Sequence, residues 1–165
     1  MGNQKEQINP ALIAAFVKST KNVLSTMVGI ESTIGKPIIK VAESPSYDVS
    51  GIVGFTGEIT GSVVVSFKED CALGIVSAFT MEEYEVHTED FADAVGELCN
   101  MIAGNAKKDF GIEAGIGIPN VVVGKNHVIS RLKEVPCVVI PCECANGEFA
   151  VEVNIKQLTP APVGV

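Results

Sequence analysis

The sequence has no apolar run approaching the roughly 20 residues that a membrane-spanning helix needs. Its first residues, MGNQKEQ, lack the hydrophobic core of a secretion signal. Gly2 is followed at position six by Glu6 rather than Ser or Thr, so a myristoylation signal is missing too. Basic residues are scarce. Twelve Lys and Arg stand against 20 Asp and Glu, a net charge of −8, which argues against nucleic acid and anionic membrane surfaces as partners. Histidine occurs only as His87 and His127, in separate loops with no carboxylate at a diagnostic spacing, and both read as surface residues. There is no nucleophile elbow, no phosphate-binding loop and no zinc-protease histidine pair. Gly115 and Gly117 precede a strand rather than a helix, so they make no dinucleotide fingerprint. The cysteines number five, an odd count that suits reduced thiols and a cytoplasmic location.

What is present is a single domain. Hydrophobic residues make up 47% of the 165, enough for a substantial core. The domain is expected over residues 1–156, with 157–165, rich in Pro, as a fraying tail. Asn9 reads as the N-cap of a first helix, Pro10 as its first residue, and Ile8 as a staple onto Ile13. Leu12, Ile13, Phe16, Thr20, Val23, Leu24, Met27 and Val28 keep helical period, and Gly29 ends it. Strands follow at Lys36 to Ala42, Asp48 to Thr56 and Ile59 to Phe67. A second helix is expected from Glu69 to Met81, followed by an acidic, solvated connector at Glu82, Glu83 and Glu85. Ile116 to Val123 reads as a strand, Gly124 to Lys133 as a loop, and Val135 to Ile155 as a hairpin turning at Asn146-Gly147. The order is α-βββ-αα-βββ: an α+β fold with three main helices on an antiparallel sheet of about six strands, and a loose internal duplication. In the hairpin, Cys144 is expected opposite Phe149 and Cys142 opposite Val151, both on the core face, with Cys137 on the other. Three ligands cannot converge from two faces of one strand, so no metal site is expected.

Between the two halves lies the stretch Thr88 to Phe110, which reads as one long helix. Thr88 is a good N-cap, Glu89 and Asp90 complement the helix dipole, and Gly111 stops the helix. Phe91, Val95, Leu98, Ile102, Ala106 and Phe110 share one apolar face. Ala92, Gly96, Cys99 and Ala103 form a small-residue stripe suited to close approach of another backbone. A third stripe holds Asp93, Glu97, Asn100, Gly104 and Lys107. Glu97 and Asn100 are one turn apart, so their side chains project together, and Gly104 leaves an open ledge beside them. Asn is a mediocre helix former, and helix stability alone does not ask for one here. By spacing alone such a pair is usually just two polar residues on a wet face.

The surrounding residues carry more. Asp93 to Lys108, DAVGELCNMIAGNAKK, resembles the signature helix of the CheC/CheX/FliY chemotaxis phosphatases. NPALI at 9–13, DVSGIVG at 48–54 and PNVVVGK at 119–125 resemble the CheX branch of that family. The family motif E-x-x-N falls on Glu97 and Asn100. CheC-type relatives carry a second copy on the first helix; here Asn22 is present but Ser19 stands where its Glu would be. The resemblance therefore implies one active site per chain and hydrolysis of the aspartyl phosphate of a CheY-type response regulator. It implies that Asn100 orients the attacking water and that Glu97 pairs with the partner's active-site lysine. Asp93, Gly104 and Lys107 are weaker candidates for partner contact. The resemblance also implies a homodimer, and no cofactor bound by this chain, the Mg²⁺ belonging to the response regulator. The rival reading is a non-catalytic module that binds a response regulator, or a switch component, through the same helix.

Overall fold

A computed structural model describes residues 9–40 and 46–158. Ile8 and residues 159–165 lie outside them, and with them the expected staple and nearly all of the expected tail. Helix α1 spans Pro10–Val23, with the Asn9 carboxamide oxygen accepting the Ala11 N–H at 2.9 Å. Leu24–Val28 continues as a π-helical turn that closes at Gly29, whose φ is 77°. The wider turn shifts the helical period, so Met27, expected on the apolar face, is 52% exposed while Val28 is buried. Thr26 and Ser25 hydroxyls, at 2.6 and 3.2 Å, donate to the Asn22 carbonyl within it.

Strands β1 (Ser32–Ile34) and β2 (Ile38–Ile39) replace the single strand expected from Lys36, and residues 41–42 are outside the described chain. Strand β3 (Val49–Gly57) turns at Gly57, φ 97°, into β4 (Ile59–Phe67). Helix α2 (Glu69–Thr80) is capped from outside, by the Asp48 carboxylate accepting the Glu69 N–H at 3.0 Å. After the exposed acidic connector come α3 (Glu89–Lys107), β5 (Ala114–Ile116), β6 (Asn120–Val123), β7 (Val138–Cys144) and β8 (Gly147–Gln157).

The strands form one antiparallel sheet in the order β1-β7-β8-β4-β3-β5, with β2 beside β1 on β7 and β6 beside β5 on β3. Eight strands thus occupy six positions, which reconciles the sheet with the expected count. Exchanging the first half (β1/β2, β3, β4) with the second (β5/β6, β7, β8) maps the strand order onto itself reversed. The duplication is therefore a pseudo-two-fold between β4 and β8. The helices cover one face. Phe67 stacks on Phe149 at 5.6 Å, and Phe16, Phe55 and Phe110 form a second aromatic cluster. Burying each such ring contributes roughly 1.5–3 kcal/mol.

Two expectations need correction here. The hairpin turns at Ala145-Asn146, and Cys144 pairs with Gly147, Cys142 with Phe149 and Ile140 with Val151. Contact with α2 accounts for the shift: a Cβ on Gly74 would sit 2.6 Å from the Asn146 carboxamide, and one on Gly147, φ 127°, would sit 3.4 Å from the Cys71 Cβ. The displacement is two residues, so every side chain keeps its face, and Cys142 and Cys137 lie on opposite sides as expected. The second correction concerns His127, expected as a surface residue, which is only half-exposed and bonded through both ring nitrogens. Its ring bridges Ser50 Oγ, at 2.7 Å, and the Gly124 carbonyl, at 2.6 Å. The loop after β6 folds over the outer face of the sheet, where Arg131 and Lys40 bind the buried Glu152 at 2.6 and 2.9 Å. Asn154 on the same face accepts the Leu132 N–H at 2.8 Å and donates to the Leu132 and Val135 carbonyls.

Candidate active site

Helix α3 has three faces, and each is used as its residues dictate. The Thr88 hydroxyl accepts the Phe91 N–H at 3.3 Å and caps the first turn. Phe91, Val95, Leu98, Ile102 and Ala106 are buried in the core, and Phe110 follows just beyond the helix end. The small stripe brings the helix close to the sheet. A side chain on Gly51 of β3 would overlap the Cys99 Sγ, and a Cβ on Gly96 would meet Pro119 Cγ and Val121 Cγ2 at 3.5 Å. The helix backbone is thus seated on β3 and β6 with no room to slide.

The third stripe faces outward. Asp93, Glu97 and Lys107 are exposed; Asn100 and Gly104 are half-buried. Among the described residues, neither the Glu97 nor the Asn100 side chain has a hydrogen-bond or ion-pair partner, so both heads are available to a second molecule. Their position along the sheet edge follows from their neighbours. Gly96 abuts Pro119 and Val121, while a Cβ on Gly104 would lie 3.9 Å from Ile116 Cδ1. Asn100 is one helical turn from each of these glycines, which puts it at the level of the intervening Gly117-Ile118 along the helix. The strand expected from Ile116 to Val123 breaks at this segment. Pro119 has no N–H to give the ladder, and the Gly117 N–H donates to the Gly54 carbonyl at 2.9 Å. The proline was a readable signal for the break; Gly51 as the seat of Cys99 was not.

The counterpart on α1 is built for packing. Ser19 is 1% exposed, and its hydroxyl donates to the Ile102 carbonyl of α3 at 2.6 Å. A glutamate there would bury a carboxylate between two helices. Asn22 is exposed on the far side of that contact.

Cys71, Cys99 and Cys142 are buried free thiols. Burial pushes the Cys99 thiol up to about 12, and the Cys142 thiol likewise up to about 12, so both stay protonated at neutral pH. Burial also raises Cys71, whose Sγ lies 3.9 Å from that of Cys144. Among the described residues no group of three or more His, Cys, Asp or Glu is placed to hold a metal ion, and no helix is long and apolar enough to cross a membrane.

The arrangement is a carboxylate and a carboxamide held side by side on a rigid helix, able to donate and accept hydrogen bonds but offering no nucleophile. Residues 49–143 match the family model described as chemotaxis phosphatase CheX. The chain is 33% identical over 120 residues to the CheY-P phosphatase CheX of Thermotoga maritima, covering 70% of this chain and 77% of that one. It is also similar to the crystal structure of a chemotaxis protein CheX from Desulfovibrio desulfuricans. There the identity is 37% and the TM-score 0.80, with 88% of this chain and 97% of that one covered. A CheX–CheY–BeF3–Mg²⁺ complex from Borrelia burgdorferi matches at 28% identity and TM-score 0.73, over 92% of this chain and 100% of that one.

Proposed function

The chain belongs to the CheX family of chemotaxis phosphatases, and on that premise we propose that it hydrolyses the aspartyl phosphate of a CheY-type response regulator. The observation that carries this reading is the outward, unpartnered pair Glu97 and Asn100 on a helix locked to the sheet. An aspartyl phosphate is an activated acyl phosphate, and the response regulator brings its own Mg²⁺ and basic groups. The missing contribution is orientation of the attacking water. The Asn100 carboxamide oxygen accepts a hydrogen bond from that water while its NH₂ donates to a phosphoryl oxygen. This is the task a glutamine performs in GTPases, and it needs neither an altered pKa nor a covalent step. Glu97 pairs with the regulator's active-site lysine and fixes the helix over the phosphoryl group. Asp93 and Lys107, exposed on the same stripe, and the ledge at Gly104 lie in the footprint of that partner.

Because Glu97 acts through binding, Glu97→Ala is expected to raise KM for the phosphorylated regulator about tenfold while kcat changes little. Steady-state kinetics over a range of regulator concentrations checks this. A fall in kcat with KM unchanged would move Glu97 from docking into chemistry.

The protein works in the cytoplasm as a homodimer. Support for the dimer comes from the edge of the sheet remote from Asn100. There α1 and β2 flank an apolar groove of about 560 Å³ lined by Pro10, Ile13, Val17, Ile38, Ile39 and Val138. Ile38 and Ile39 are 56% and 55% exposed on a strand that, among the described residues, pairs only with β7. Such an edge is a template for a second chain. Light scattering at working concentration is expected to return twice the chain mass of 17.3 kDa, and a monomer would remove the dimer.

A further inference from the structure

We propose that Ile118 is a docking residue for the response regulator, an apolar knob that is buried against the regulator when its phosphoryl group reaches Asn100. This rests on the phosphatase reading and adds to it a binding contact supplied by the sheet edge rather than the helix.

Ile118 is 88% exposed, although the segment that bears it is well anchored. The Gly117 N–H is bonded to the Gly54 carbonyl, Pro119 is packed toward Gly96, and β6 resumes its ladder with β3 from Asn120. The side chain is therefore presented from a backbone fixed on both sides, which keeps the ordering cost of binding small. A lone exposed isoleucine needs no explanation in general. This one is distinguished by its place. The Gly96–Asn100–Gly104 stripe runs along Val121, Pro119 and Ile116, so the gap between Pro119 and Ile116, where Ile118 lies, is level with Asn100. A protein partner that brings a phosphoryl group to the carboxamide spans this level of the sheet edge.

The chemistry of the surface is complementary to that role. Asp93, Glu97 and Lys107 supply charged contacts, the pattern of an interface rim. Among them, recognition by polar groups alone leaves no desolvated centre, and a buried apolar anchor is the usual source of one. A second copy of this chain is the less suitable occupant. Pro119 interrupts the β5/β6 edge as Pro37 interrupts the β1/β2 edge, but the β1/β2 edge also carries the exposed Ile38 and Ile39 and the apolar groove beside α1, and is the better seat for a second copy.

The test compares the full chain with Ile118→Asp, Ile118→Ser and Ile118→Val, using an acetyl-phosphate-charged response regulator and Mg²⁺. Because the side chain is in solvent, all three variants are expected to fold as the wild type does, with unchanged circular dichroism and mass by light scattering. Ile118→Asp is expected to raise KM about tenfold, Ile118→Ser less, and Ile118→Val barely, with kcat within about twofold throughout. If the wild type speeds phosphate loss but Ile118→Asp keeps the wild-type KM, the docking role is overturned and the phosphatase reading stands. If Ile118→Asp instead lowers the mass, the residue belongs to a contact between copies and the proposal is overturned. If the wild type does not speed phosphate loss at all, the phosphatase reading fails and this proposal with it.

Discussion

Asn100→Ala is expected to lower turnover of the phosphorylated regulator by about 100-fold or more while leaving its binding nearly intact. The size follows from what a positioned carboxamide does. It fixes the attacking water in line with the phosphorus and compensates charge on a phosphoryl oxygen, and both terms exist only near the transition state. Alanine removes both and leaves Glu97 free to dock. Asn100→Asp separates the two functions. An ionised carboxylate still accepts from water but cannot donate to the phosphoryl oxygen, and it repels that oxygen, so this variant is expected to be as inactive as the alanine. Neither change should unfold the chain, because Asn100 is half-exposed and has no partner among the described residues. Equal stability of the variants in urea checks that the loss is chemical.

The second large effect is on stability and arises on the outer face of the sheet. Glu152 is 5% exposed and holds Lys40 through one carboxylate oxygen and Arg131 through the other, with Ser46 Oγ 3.4 Å from the second. Glu152→Ala strands two cations in a nearly dry site and is expected to cost about 3–5 kcal/mol. That is a large part of the 5–15 kcal/mol, roughly, that a domain of this kind has in total. Urea unfolding measures it as a drop in midpoint at constant slope. The triple replacement of Glu152, Lys40 and Arg131 by apolar residues should recover much of the loss, because the penalty is unpaired charge rather than a missing attraction. A Glu152→Ala midpoint equal to wild type would mean that the cations find water and that the outer cover is not held by this carboxylate.

Much of this was legible in the chain. The long helix was readable because cap, apolar face and small stripe agree on one register from Thr88, although the helix ends at Lys107, ahead of the Phe110 expected, and Gly111, φ 69°, follows in the turn beyond it. The Asn146-Gly147 signal located the hairpin, but its register depended on Asn146 docking over Gly74, a contact 72 residues away that no local pattern contains. The π-helical turn at Leu24–Val28 was hidden for a related reason: the apolar period continued through it, and only packing chose the wider turn. His127 reads as a surface residue in the sequence because it lies in a loop with no carboxylate at a diagnostic spacing. The folding of that loop over Ser50 and Glu152 is decided by buried polar partners on other strands. For the site itself, spacing identified which side chains share a face, and the resemblance of the surrounding residues supplied their chemistry. The exposure of Ile118, in the gap between β5 and β6, has no signal in the local sequence pattern.

The most direct measurement is single-turnover decay of the phosphorylated regulator, followed by rapid quench with wild type or Asn100→Ala in saturating excess. Saturation removes binding from the comparison and leaves the hydrolytic step. The expected result is fast decay with the wild type and decay near the regulator's own slow rate with the variant. Equal rates for the two proteins would contradict the assignment of Asn100 as the residue that positions water.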